Sequence, residues 1–243
     1  MNGKARVTDP NAFVIRGARR YAGQCRIRDI VNSSTAHLKW LGENHTKVEM
    51  MHTELEIFHR AFKKLEEFQP LNDTERPDLP DLPPREDLAR PLDQLFFGGL
   101  LVHTDYQWIT NYIDGTQVSH RGYADVQGAI PCVRVVPVTT CHPHTAKYWH
   151  PDPLKSEILE LTPEERAHQM IAVILHEQIH ALLGTYGCRG NCLGTPVLQR
   201  FCLYLSGQEV GAEGHGFAFW DIGLVLKDVA SLVLGNPRAK IFA

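Results

Sequence analysis

No stretch of the sequence approaches the roughly 20 apolar residues that a membrane-spanning helix needs, so no membrane partner is expected. The first residues, MNGKARVTDPNAFVIRGARRYAG, lack the apolar core of a secretory leader. An intracellular protein, nuclear or cytoplasmic, is the expectation. Cysteine is also scarce: six in 243 residues cannot supply a disulfide scaffold, which leaves thiols or metal ligands as their roles. A strong excess of either charge is missing. At a net charge of -3 the whole chain is not an obvious binder of polyanions. Internal repeats are absent as well, so nothing points to a solenoid. What remains, 43% hydrophobic and 22% charged residues, is ordinary for a globular protein that buries its own core.

Against this plain background one stretch stands out, Ile171 to Leu183, IAVILHEQIHALL. It holds His176, Glu177 and His180 in the pattern H-E-x-x-H. Residues four apart share a helix face, so the two histidines can hold one ion. Neutral imidazoles suit zinc, Zn2+, and a carboxylate at Glu177 can take a proton from water at that ion. A chain with 13 histidines and this glutamate content produces the pattern by chance roughly 0.04 times, so coincidence is a poor explanation. The helix context is present too. Thr162-Pro163-Glu164-Glu165 reads as a capping box with proline at the first helical position. Met170, Ile171, Ile174, Leu175, Ile179 and Leu182 give a broad apolar surface, and Gly184 reads as a stop signal.

The segments around this helix have different textures. Residues 1–28 carry Lys4, Arg6, Arg16, Arg19, Arg20, Arg26 and Arg28 against Asp9 alone. They read as a solvated basic arm or as an arm giving weak, electrostatic DNA binding. Met51, Leu55, Phe58, Phe62 and Leu65 form one apolar helical stripe running to about Phe68, flanked by His52 and His59 as surface residues. Residues 70–91 hold six prolines and read as a linker, so the expected division is 1–91 and 92–243. Past it, Leu100 to Ile109, Gly122 to Val126 and Ile130 to Val138 read as strands, with a turn at Asp114-Gly115. Pro131 and Pro137 predict an edge position or an interruption for the third. Thr140 to Pro153 reads as a loop, and Gly184 to Gly211 as irregular. Phe217 to Leu234 reads as a final helix ended by Gly235-Asn236-Pro237. Strands followed by helices predict an α+β fold.

A catalytic zinc needs a third protein ligand. The metzincin spacing is not met, because Leu183 occupies its glycine position and Tyr186 its third histidine. The next candidate is His215 in Glu213-Gly214-His215-Gly216, where small neighbours let the backbone come close to a metal. Glu209 and Glu213 are the carboxylate alternatives. Together, His176-Glu177-Gln178-Ile179-His180-Ala181 and Glu213-Gly214-His215-Gly216 with Phe219 resemble the motifs of the SprT-like, or Spartan-like, zinc metalloprotease family. Leu95-Phe96-Phe97-Gly98-Gly99-Leu100 with Trp108 is similar to that family's opening element, so the resemblance covers about Leu92 to Leu234. It implies a zincin-like fold, with a small antiparallel or mixed sheet packed on the motif helix and a C-terminal helix. It also implies His215 as third zinc ligand, Glu177 as general base, and cleavage of protein or peptide substrates, including proteins associated with DNA.

Two other classes stay open on sequence alone: a zinc hydrolase of a small peptide or metabolite, and a non-catalytic zinc-containing binding module. Intact Glu177 favours an enzyme, since a structural site needs no general base. Tyr186 and His150 are conceivable as a general acid or as helpers for the developing oxyanion. Cys188, Cys192 and Cys202, with Cys141, His142 and His144 in an earlier loop, form a candidate second zinc site, a set of ordinary thiols, or a local disulfide in an oxidising setting.

Overall fold

A computed structural model describes residues 25–46, 49–67, 83–108, 122–126, 130–135, 162–188, 196–211 and 214–234. Within them the chain forms α1 (Ile27–Asn44), α2 (Glu49–Glu67), α3 (Arg85–Phe97), β1 (Asp105–Trp108), β2 (Gly122–Asp125) and β3 (Cys132–Val135). It continues as α4 (Pro163–Tyr186), α5 (Pro196–Val210) and α6 (Phe217–Val233). This is a mixed α+β fold, mostly helical, with a small three-stranded sheet of order β1-β3-β2. β1 pairs with β3 in parallel, and β2 pairs with β3 antiparallel. No described helix is long and apolar enough to cross a membrane.

The motif helix α4 lies at the centre of the core. Its Met170, Leu175, Ile179, Ala181 and Leu182 are buried among side chains from the other layers. Polar ties fix its rotation. Gln178 Nε2 donates to the Ala89 carbonyl of α3 at 2.8 Å and to the Tyr106 hydroxyl of β1 at 3.0 Å. Tyr186 Oη donates to Leu100 O at 2.7 Å. Buried polar groups stay in place when such bonds satisfy them.

Several sequence expectations change here. Gly184 does not stop the helix, which runs on to Tyr186. A Cβ at Gly184 would lie 2.5 Å from Val126 Cγ2, so the glycine serves close approach of the residue after β2. Gly184 to Gly211 is not irregular throughout, because α5 occupies Pro196–Val210. The dipeptide Thr195-Pro196 repeats the start signature of α4 and was the available signal. β3 is the central strand and no edge, since Pro131 precedes the ladder and needs to give it no N–H. The first strand is shorter than Leu100 to Ile109, because residues 98–103 form the turn that closes α3. Gly98 and Gly99 both have positive φ, and Gly99 N–H bonds the Asp93 carbonyl at 3.0 Å. The turn at Asp114-Gly115 lies outside the described residues.

The division at residue 91 falls inside α3, where Pro91 is buried. A linker is expected from prolines, yet one proline within a helix removes only one N–H and is tolerated where packing compensates. α1, absent from the sequence reading, buries Ile27, Ile30, Val31, Leu38 and Leu41. Its stripe is interrupted by Ser34 and His37, both buried, with His37 Nε2 bonded to Leu95 O at 2.9 Å. Of the expected stripe of α2, Phe58 and Leu65 are buried and Leu55 and Phe62 pack half-buried against the core, while His59 is exposed; the side chains of Met51 and His52 lie outside the described residues. Both helices join the same core as α3, α4, α6 and the sheet.

A fragment beginning at Leu92 would therefore expose a large apolar area. Each buried Leu, Ile or Phe contributes about 1.5–3 kcal/mol. Loss of α1 and α2 then exceeds the net stability of about 5–15 kcal/mol that a domain possesses. The fragment 92–243 is expected to lack near-UV circular dichroism and a sharp thermal transition, while the full chain shows both. A cooperative transition in the fragment would show that the two helices are accessory.

Candidate metal centre

The geometry of the centre starts at the head of α4. Thr162 Oγ1 accepts from Glu165 N–H at 3.2 Å, and the Glu165 carboxylate accepts from Thr162 N–H at 2.8 Å. This capping box with Pro163 fixes where the helix begins. His176 and His180 then stand one turn apart, with ring centroids at 4.9 Å. The opposite wall comes from the turn between α5 and α6. Gly211 and Gly214 have φ of 77° and 78°, and Gly216 N–H bonds Val210 O at 2.6 Å. A Cβ on Gly214 would come within 2.9 Å of the His180 ring, and one on Gly216 within 2.3 Å of Glu209 O. Glycine at 214 lets the chain lie this close to α4, and glycine at 216 lets it fold back on the end of α5.

The turn delivers His215 onto the pair. The three Nε2 atoms form a nearly equilateral triangle: His176 to His180 3.1 Å, His180 to His215 3.0 Å, and His176 to His215 3.0 Å. Pairwise hydrogen bonds cannot account for it. Each Nε2 offers a single in-plane position, either a proton or a lone pair, and cannot serve two neighbours at once. A shared cation resolves the contradiction, since all three lone pairs then point at one charge. Donors about 2.0–2.1 Å from a tetrahedral ion stand roughly 3.3 Å apart, close to the spacing found. Among the described residues these three form a group of ligating side chains that can hold a metal ion.

Phe219, buried on the first turn and a half of α6, supports all three rings. Its centroid lies 4.7 Å from His176, 4.7 Å from His180 and 4.8 Å from His215. Burial, followed by the nearness of His215, lowers the pKa of His180 to about 4, so its ring is neutral and ready to ligate. Glu177 is 5% exposed and packs against β2. Burial raises its pKa to about 8, opposed by a hydrogen bond from the Ala124 backbone. A Cβ on Gly122 would reach Glu177 Cγ at 3.0 Å. Gly122 and Ala124 were not legible as site neighbours, although a glycine in a strand is a known sign of close approach.

The chain matches no family model, no curated protein and no solved structure. The centre is therefore described by its own geometry.

The remaining sequence candidates fall elsewhere. Glu209 is not a ligand: its carboxylate pairs with Arg28. Tyr186 is directed to Leu100 O in the core and gives nothing to an oxyanion. Glu213, His150, Cys141, His142, His144 and Cys192 lie outside the described residues, as does the side chain of Cys202. Cys188 is buried, and its N–H bonds Cys25 O at 2.9 Å. In the basic arm Arg26 is exposed, Arg28 is engaged by carboxylates, and Arg16, Arg19 and Arg20 are outside the described residues.

Two outcomes are expected. Gly214→Ala forces a side chain into a positive-φ position and against the His180 ring. It is expected to weaken metal affinity at least about tenfold, in a competition titration with a chromophoric chelator. Wild-type affinity would show that the turn adapts. The second concerns pH in the metal-free protein. Glu177 holds its proton in the native state between its usual 4.5 and about 8, so its contribution is lost as pH rises through that window. His180 stays neutral between about 4 and its usual 6.5, so its contribution is lost as pH falls through that one. Above pH 6.5 only the Glu177 effect remains, and the Tm of the chelator-treated protein is expected to fall from pH 6.5 to 8. A flat or rising Tm there would contradict a protonated, buried Glu177.

Proposed function

We propose that this protein is a zinc-dependent endopeptidase of the SprT-like type, with His176, His180 and His215 as zinc ligands and Glu177 as general base. The observation that carries the reading is the convergence of three Nε2 atoms at 3.0–3.1 Å, with a buried carboxylate next in sequence to the first. Three imidazole ligands would leave an open coordination position, as catalytic zinc sites do. When bound, zinc acidifies water and polarises a carbonyl.

The chain's own residues supply the rest. Phe219 holds the three rings and closes the floor beneath them. The Ala124 amide holds the Glu177 carboxyl from β2. A nearby cation favours the ionised carboxylate, so it offsets the burial that pushes Glu177 up. Glu177 then accepts a proton from the attacking water and returns it to the nitrogen of the leaving amine. β2 is an outer strand of the described sheet and lies beside α4. An extended polypeptide adds readily to such an edge, which favours a peptide over a compact metabolite. The extension to DNA-associated proteins rests on the resemblance alone.

The test is cleavage of casein and histone by the zinc-loaded protein, with and without single-stranded DNA. Glu177→Gln is expected to keep one zinc per chain and lose about 10²–10⁴-fold in rate. Cleavage by Glu177→Gln at the wild-type rate would remove Glu177 from the chemistry.

A further inference from the structure

The segment outside the resemblance touches the metal centre indirectly, through Arg28. Two observations fix this residue. Just before it, Cys25 is stitched to the end of α4: its N–H bonds Tyr186 O at 3.0 Å, and Cys188 N–H bonds Cys25 O at 2.9 Å. Ile27 then packs over Gly187, where a Cβ would meet Ile27 Cδ1 at 2.4 Å. The start of α1 is thus held to the helix that carries His176 and His180.

From this anchored position the guanidinium of Arg28 forks. Nη1 donates to Asp221 Oδ2 at 2.6 Å, and Nη2 donates to the Glu209 carboxylate. Glu209 is on the last turn of α5, and Asp221 lies two residues beyond Phe219 on α6. The two carboxylates therefore lie on either side of His215 in the chain, one at the end of α5 and one at the start of α6. Without Arg28 they would face each other as like charges. Glu209 would in addition stand uncompensated at the negative end of its helix. Arginine suits the task because its planar fork serves two acceptors at once.

We infer that Arg28 is a positioning residue for the metal centre, clamping α5 and α6 so that the turn between them holds His215 against the α4 histidines. This rests on the three-histidine reading of the centre. The N-terminal helix is accordingly part of the site's frame, and the clamp acts on His215 without touching it.

The test uses the full chain and two readouts other than activity: Zn2+ affinity by chelator competition, and the visible absorption spectrum of the Co2+-loaded protein. Wild type must first bind one ion per chain with a spectrum that His215→Ala alters; failure at that step overturns the three-histidine reading itself. Given that, Arg28→Ala is expected to weaken Zn2+ affinity about threefold to tenfold and to shift the Co2+ spectrum towards that of His215→Ala. Arg28→Lys, with one ammonium for two carboxylates, is expected to restore part of the affinity. Asp221→Asn is expected to give a smaller loss that does not add in full to that of Arg28→Ala, and it serves as the test if Arg28→Ala fails to fold. Wild-type affinity and an unchanged spectrum in Arg28→Ala, or in Asp221→Asn where that replaces it, would overturn the clamp.

Discussion

Everything in the centre depends on one close approach, that of Gly214–Gly216 to the face of α4. The approach is permitted by the absence of a side chain at Gly214, and it brings Nε2 of His215 to 3.0 Å from two other imidazole nitrogens. Three basic nitrogens at that separation have no mutually satisfactory protonation pattern of their own. A cation among the rings accepts all three lone pairs at once. Phe219 supports the arrangement from below, since its ring meets all three imidazoles.

The surroundings are tuned in the same sense. Burial keeps His180 neutral, which a ligand requires, and it keeps Glu177 protonated in the absence of an ion, which a base does not. Burial is the larger cause of both, and it follows from the packing of α4 against the sheet, α3 and α6. A cation in the triangle preserves the first and reverses the second.

How much of this the sequence discloses follows from the range of each interaction. The capping box at Thr162, the four-residue spacing of His176 and His180 and the stripe of α2 are local, and their periodicity is legible. His215 was reachable because two glycines flank it, though spacing alone left Glu209 and Glu213 as rivals. Only the pairing of Glu209 with Arg28, 181 positions away, removes the first of these. α1 was hidden by Ser34 and His37 on its buried face, since a buried histidine bonded to a carbonyl looks polar in sequence. The central place of β3 and the continuation of α4 through Gly184 are likewise set by distant partners, Asp105 of β1 and Val126 beyond β2. Prolines misdirected the boundary at residue 91, because a proline in a well-packed helix has the same letter as one in a linker.

The claim that three histidines hold one metal ion is tested most directly by zinc-edge X-ray absorption of the protein loaded with one equivalent of Zn2+. The account predicts a first shell of nitrogen and oxygen donors at about 2.0–2.1 Å, with the outer-shell scattering of three imidazoles and no sulfur. A sulfur shell near 2.3 Å, or the scattering of fewer than three imidazoles, would contradict it.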